Sequence, residues 1–136
     1  MKQILTLHEN TKNKISNAED LFKNIKKINI NYNQENFILI CLNTKNKILK
    51  TDILFKGGLN ACLIDLKTIF RNALINNSNA LIVAHNHPSN SLNPSSEDKE
   101  IFKKIKDAGE ILGIKVLDSI IFNKKEFYSL NDNENL

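Results

Sequence analysis

Read for its apolar and polar positions, the chain alternates short apolar runs with helical stripes. Ala80 to Ala84 is an unbroken apolar run, too short for a typical helix, and reads as a buried strand. It stops on His85-Asn86-His87-Pro88, where the proline ends sheet pairing. Ser89 to Pro94, rich in Ser, Asn and Pro, has the composition of an ordered turn, and Ser95 to Asp98 opens a helix. Met1 to Lys14 has no persistent period and reads as a flexible arm or an edge strand. Ser16 begins a helix, with Glu19 completing a capping box and Ala18, Leu21, Phe22, Ile25 and Ile28 forming its apolar stripe. Phe37 to Leu42 is a strand too apolar to be exposed on either face, and a hairpin loop at Asn43-Thr44-Lys45-Asn46 returns the chain as Lys47 to Phe55. Gly57-Gly58 breaks that strand, and Leu66, Ile69, Phe70, Ala73 and Leu74 mark a second helix. Ile101, Phe102, Ile105, Ala108, Ile111 and Leu112 predict a third, closed by a left-handed Gly113. Lys115 to Phe122 and Glu126 to Leu130 read as strands around a turn at Asn123-Lys124-Lys125, and the tail at 131–136 is expected to fray. This order predicts an α/β fold, a mixed sheet with helices on its faces.

Composition narrows the class. A length of 136 residues predicts one domain, and 41% hydrophobic with 25% charged residues is close to globular averages, which excludes disorder of the whole chain. No apolar stretch approaches the roughly 20 residues of a membrane span, and Met1 to Asn10 lacks the pattern of a signal peptide, so a cytoplasmic protein without a membrane partner is expected. Cys41 and Cys62 lie in or beside apolar segments without CxxC spacing, the pattern of reduced, buried thiols. The net charge of +4 is compatible with an acidic or nucleic-acid partner, but lysines spread over amphipathic helices are also what a solvated face looks like.

The chemistry concentrates after the Ala80 strand. In an extended backbone, residues two apart share a face, so His85 and His87 project their imidazoles together and Asn86 points the other way. The loop turns the chain back, so the Asp98 carboxylate can be placed beside the two histidines. Two imidazoles and a carboxylate make a three-ligand site, which leaves a fourth tetrahedral position for water, as in catalytic zinc centres. Ser95-x-x-Asp98 is equally the spacing of a capping box, so Asp98 and Ser95 each have a second reading as helix caps.

His85-x-His87-Pro88 followed by Ser95-x-x-Asp98 resembles the JAMM motif of the JAB/MPN metalloprotease family, and the fuller string HNHPS…PSxED is similar to its RadC-like branch. Glu35-x-Phe37-x-Leu39-x-x-Leu42, the helix ending in Ala73-Leu74, and Gly113-Ile114 leading to Leu117-Asp118 match the family pattern over roughly Ser16 to Leu130. The resemblance implies a cytidine-deaminase-like curved sheet spanning residues 1–136 as a short form without the helix-hairpin-helix region. It also implies one Zn2+ per chain on His85, His87 and Asp98 with water as fourth ligand, Glu35 as general base and Ser95 beside the oxyanion. Local chemistry alone does not select Glu35 from the eight glutamates. The contiguous His-Asn-His is not the dispersed ββα arrangement of an HNH nuclease, and the H-x-E…P-C-x-x-C signature of zinc deaminases is missing.

The chain departs from the RadC pattern at Asn90, where the family has glycine, at Ser91-Leu92, at Leu66-Lys67-Thr68, and at Ser119, where the family has histidine. None touches the expected ligands. Two function classes follow: a zinc hydrolase cutting a peptide or isopeptide bond in a peptide or protein substrate, or a binding module for DNA or a DNA-processing complex in repair or mobile-element biology. Substrate and oligomeric state are not legible in the sequence.

Overall fold

The computed structural model describes residues 14–58 and 64–134. Helix α1 (Ala18–Lys26) leads to strands β1 (Asn36–Leu42) and β2 (Ile48–Lys56). Helix α2 (Leu66–Ile75), strand β3 (Ala80–Asn86) and helix α3 (Ser96–Leu112) follow, then strands β4 (Lys115–Phe122) and β5 (Phe127–Ser129) and a helical turn α4 (Leu130–Asn133). One five-stranded mixed sheet runs in the order β2-β1-β3-β4-β5, parallel only between β3 and β4. The α3 crossover makes that parallel pairing possible, because parallel neighbours need a long connection.

Both faces of the sheet are covered, which is why β1 and β3 are apolar without alternation and buried at every position. On one face, α1 packs Leu21, Phe22 and Ile25 against Ile38, Ile40, Ile82, Ala84 and Ile120. On the other, α2 and α3 supply Ile69, Phe70, Ala73, Ile101 and Ile105 against Phe37, Leu39, Leu81 and Val83. At 9 residues α1 is too short to be stable alone. Its three buried side chains contribute roughly 1.5–3 kcal/mol each, more than a cap's typical ~1 kcal/mol, so packing rather than capping holds it.

Several local expectations shift. The α1 cap is Asn17, whose side chain accepts from Asp20 N at 2.9 Å, rather than Ser16. Leu74, Ile111 and Leu112, expected in buried stripes, are exposed, because the sheet ends before the last turns of α2 and α3. The buried position missed in that region is Gly109, where a Cβ would meet Ile114 O and Val116 Cγ2, each at 2.6 Å. The last strand stops at Ser129, and the tail expected to fray forms α4 over Leu130–Asn133. Buried Asp118 organises that turn, accepting from Ser129 Oγ at 2.5 Å and Asn131 N at 3.0 Å. Residues 1–13, 59–63 and 135–136 lie outside the described part, and with them most of the N-terminal arm, Cys62 and the end of the tail. Cys41 is a free, buried thiol.

The chain holds only four glycines, and among the described residues asparagine takes three left-handed positions: Asn46 (φ 59), Asn77 (φ 54) and Asn90 (φ 67). Asn90 is the one that turns the loop after the histidines. Its short polar side chain tolerates that conformation better than any other non-glycine type, so the departure from glycine leaves the turn intact.

Replacing Gly109 by alanine should cost about 1–3 kcal/mol of stability despite alanine's better helix propensity, because backbone oxygen cannot yield as a side chain can. Urea denaturation of the variant beside wild type measures it; an unchanged midpoint would show that α3 shifts freely.

Candidate metal centre

The histidine segment is built by the end of β3. His85 is the last residue of β3 whose backbone pairs with β1, opposite Phe37, and it shares a face with Leu81 and Val83, the face that α3 covers. His85 is 6% exposed and stacks on Phe37 with ring centroids 6.4 Å apart. His87 lies just past the strand, its centroid 5.1 Å from that of His85. Its Nδ1 is 2.9 Å from Ser91 O, so Nδ1–H donates to that carbonyl and Nε2 is turned toward the site.

Asp98 enters from the first turn of α3 and places its carboxylate between the rings. Oδ1 is 3.1 Å from His85 Nε2, and Oδ2 is 3.0 Å from His87 Nε2. Oδ2 also accepts from Ser95 N at 2.9 Å while Ser95 Oγ accepts from Asp98 N at 3.0 Å, a complete capping box. The capping and ligating readings of Asp98 are therefore compatible, since the cap uses one oxygen and leaves the other facing His85. Burial alone would raise the Asp98 carboxyl, but His85, His87 and the Ser95 N–H outweigh it and hold it well below the usual carboxylate range. The His87 imidazole is raised in turn, chiefly by its hydrogen bond to Asp98.

One ligand atom from each of His85, His87 and Asp98 lies within 4.8 Å of the others, an arrangement able to hold a metal ion. Tetrahedral zinc ligands at about 2.0–2.1 Å sit about 3.3 Å apart, close to the 3.0 and 3.1 Å between the Asp98 oxygens and the imidazole nitrogens. A second observation favours a cation here. Neither ring nitrogen of His85 has an aligned hydrogen-bond partner although the ring is buried, and such orphaned groups are rare unless something else satisfies them.

The three residues line a cleft of about 360 Å³ shared with Glu35, Phe37, Ser95 and Ser119. All five residues singled out in the sequence thus face one space. Burial raises the Glu35 carboxyl, while His85 and His87 pull it down and Asp98 and Glu97 push it up, so it lies within electrostatic reach of the triad. Ser119 was read in the sequence only as a departure; it is 3% exposed, and no periodicity signals that its position faces the cleft.

The model of the RadC-like JAB domain family matches residues 10–136. The chain belongs to this family. Relatives of the same kind include the UPF0758 protein of Flavobacterium johnsoniae, 41% identical over 119 residues, which are 88% of this chain and 52% of that protein. The UPF0758 protein of Staphylococcus haemolyticus is 40% identical over 121 residues, 89% of this chain and 53% of its own. That of Listeria welshimeri is 44% identical over 99 residues, 73% of this chain and 44% of its own. The chain spans about half the length of the curated relatives it matches. The fold is the mixed α/β architecture expected of the RadC-like JAB domain, and among the described residues no helix is long and apolar enough to cross a membrane.

Two expectations follow for the RadC-like site. Replacing Asp98 by asparagine, whose side-chain oxygen can still accept from Ser95 N, should weaken divalent-metal binding at least tenfold and lower it more than it lowers helix stability. Thermal denaturation with chelator competition tests both, and equal metal affinity would leave Asp98 only its cap. Without metal, the raised His87 stabilises the fold below its unfolded value of about 6.5, and this contribution is lost as pH rises through its folded value. Metal-free protein should therefore be more stable at pH 6 than at pH 8 if this pair dominates that interval, as denaturation across it would show.

Proposed function

We propose that this RadC-like domain is a zinc-dependent hydrolase that cuts a peptide or isopeptide bond. The observation that carries the reading is the convergence of His85, His87 and Asp98, with a buried His85 ring whose nitrogens lack an aligned hydrogen-bond partner. That donor set, two imidazoles and one carboxylate, suits zinc and leaves a coordination position open. When bound, Zn2+ supplies Lewis acidity, polarising a carbonyl and making water a stronger acid, down to a pKa of about 7.

The chain's own groups supply the rest. Glu35 and Glu97 are the carboxylates of the cleft outside the ligand set, and the raised affinity of Glu35 for protons suits a base that takes one from water and delivers it to the leaving nitrogen. Ser95 uses an oxygen lone pair to accept from Asp98 N, so its own O–H remains to donate to the oxyanion that develops on the substrate. Phe37 and Ile101 give the cleft apolar walls, which strengthen these interactions by excluding water.

Purified protein should carry close to one zinc per chain, lost in His85→Ala or His87→Ala. Glu35→Gln should keep zinc and fold but lower peptide or isopeptide hydrolysis by about 10²-fold or more. Elemental analysis with turnover of peptide libraries and ubiquitin-like conjugates provides the measurement. Zinc binding without hydrolysis of any of these, alongside salt-dependent DNA binding, would point instead to a DNA-binding module.

A further inference from the structure

Between the two histidines, Asn86 is turned to the opposite face of the sheet, is 1% exposed, and belongs to neither apolar cluster there. Its side chain reaches across to the segment that carries Glu35. Asn86 Oδ1 accepts from Asn36 N at 2.9 Å and from Asn36 Nδ2 at 3.1 Å, and Asn86 Nδ2 donates to Gln34 O at 2.9 Å. The partners dictate which atom is which, since a backbone N–H faces the oxygen and a carbonyl faces the nitrogen.

These bonds fall on both sides of Glu35. The β1–β3 ladder begins at Phe37 opposite His85, so the amide side chain of Asn86 stands in for the next rung. Glu35 O is held separately by Gly57 N at 3.0 Å, from the end of β2. Asn36 reinforces the same short segment, donating from Nδ2 to Gln34 O and Asn31 O, each at 3.0 Å. The backbone of Glu35 is thus pinned before, at and after the residue, although it lies outside any strand.

We propose that Asn86 is a positioning residue that fixes Glu35 over the His85–His87–Asp98 site, linking the base to the strand that carries two of the ligands. This rests on the hydrolase reading of Glu35 given above. The pleat makes the linkage possible. Adjacent residues on an extended chain point to opposite faces, so one three-residue stretch supports the ligands on one side and the base-bearing segment on the other. The three short hydrogen bonds of this buried amide all go to the two residues that flank Glu35, where an apolar side chain would leave a backbone N–H and a carbonyl unpaired.

The test compares Asn86→Ala, Asn36→Ala and Glu35→Gln, singly and with Asn86→Ala and Glu35→Gln combined, in the zinc-loaded full chain. The Asn36 variant cuts the same clamp from the other side should the Asn86 variant fail to fold. In Asn86→Ala, turnover should fall about tenfold or more with KM changed less than about threefold, and zinc affinity should stay within about threefold. Amide exchange at Asn36 should accelerate about tenfold or more while Val83 and Ala84 in β3 keep their protection. If Asn86 acts through Glu35, Asn86→Ala should cost less than about twofold in the Glu35→Gln background. Full loss in that background, zinc affinity falling in step with turnover, or unchanged Asn36 exchange would each overturn the proposal. Hydrolytic wild type with equally active Asn86 and Asn36 variants would overturn it alone; zinc-loaded wild type without hydrolysis would remove the base role of Glu35 and this proposal with it.

Discussion

Much of this molecule depends on where strand β3 stops. Its apolar residues are buried between helices on both faces, so it sits at the centre of the sheet with β1 on one side and β4 on the other. A central strand is the least free to slide, since a one-residue slip would send every side chain to the wrong layer. The two-residue period that packs Leu81 and Val83 under α3 therefore also fixes the direction of His85. The direction of this candidate ligand is inherited from core packing.

The approach of Asp98 is constrained in the same way. It is delivered by the first turn of α3, whose Ile101, Phe102 and Ile105 are buried and whose start is defined by the Ser95 capping box. Even without metal, His87 Nε2 satisfies one oxygen of this anionic group at 3.0 Å, so the site is partly preorganised. The corresponding tension is carried by His85, whose buried ring finds no aligned partner.

Much of this was legible in the sequence because two periods dominate. Unbroken apolar runs marked β1 and β3 as covered on both faces, and His-x-His directly after such a run leaves the imidazoles one direction to point. Asp98 was legible as a candidate, although spacing alone could not separate cap from ligand; the structure shows one oxygen capping while the other faces His85. Glu35 was selected only by resemblance, because its place in the cleft depends on pairings with residues 50 positions away and on the end of β2. Ile111, Leu112 and Leu74 had the right helical spacing but lie beyond the sheet, and periodicity carries no information about where the partner surface ends. The partners of Asn86 and the cleft position of Ser119 were not legible for a related reason, since both depend on residues distant in the sequence.

The close contact at Gly109 has a mechanical consequence. Between Gly109 and Asp98 the helix spans eleven residues, about 16 Å at 1.5 Å per residue, and it behaves as a stiff rod. Its far end is seated closely on the Ile114 carbonyl and the Val116 side chain, with no side chain of its own between to act as a cushion. A rod seated this way turns a small displacement at one end into a tilt at the other. The approach of the Asp98 carboxylate to the two imidazoles is then gauged partly by a residue that bears no functional group, and the geometry of the candidate site becomes a property of how the helix is mounted.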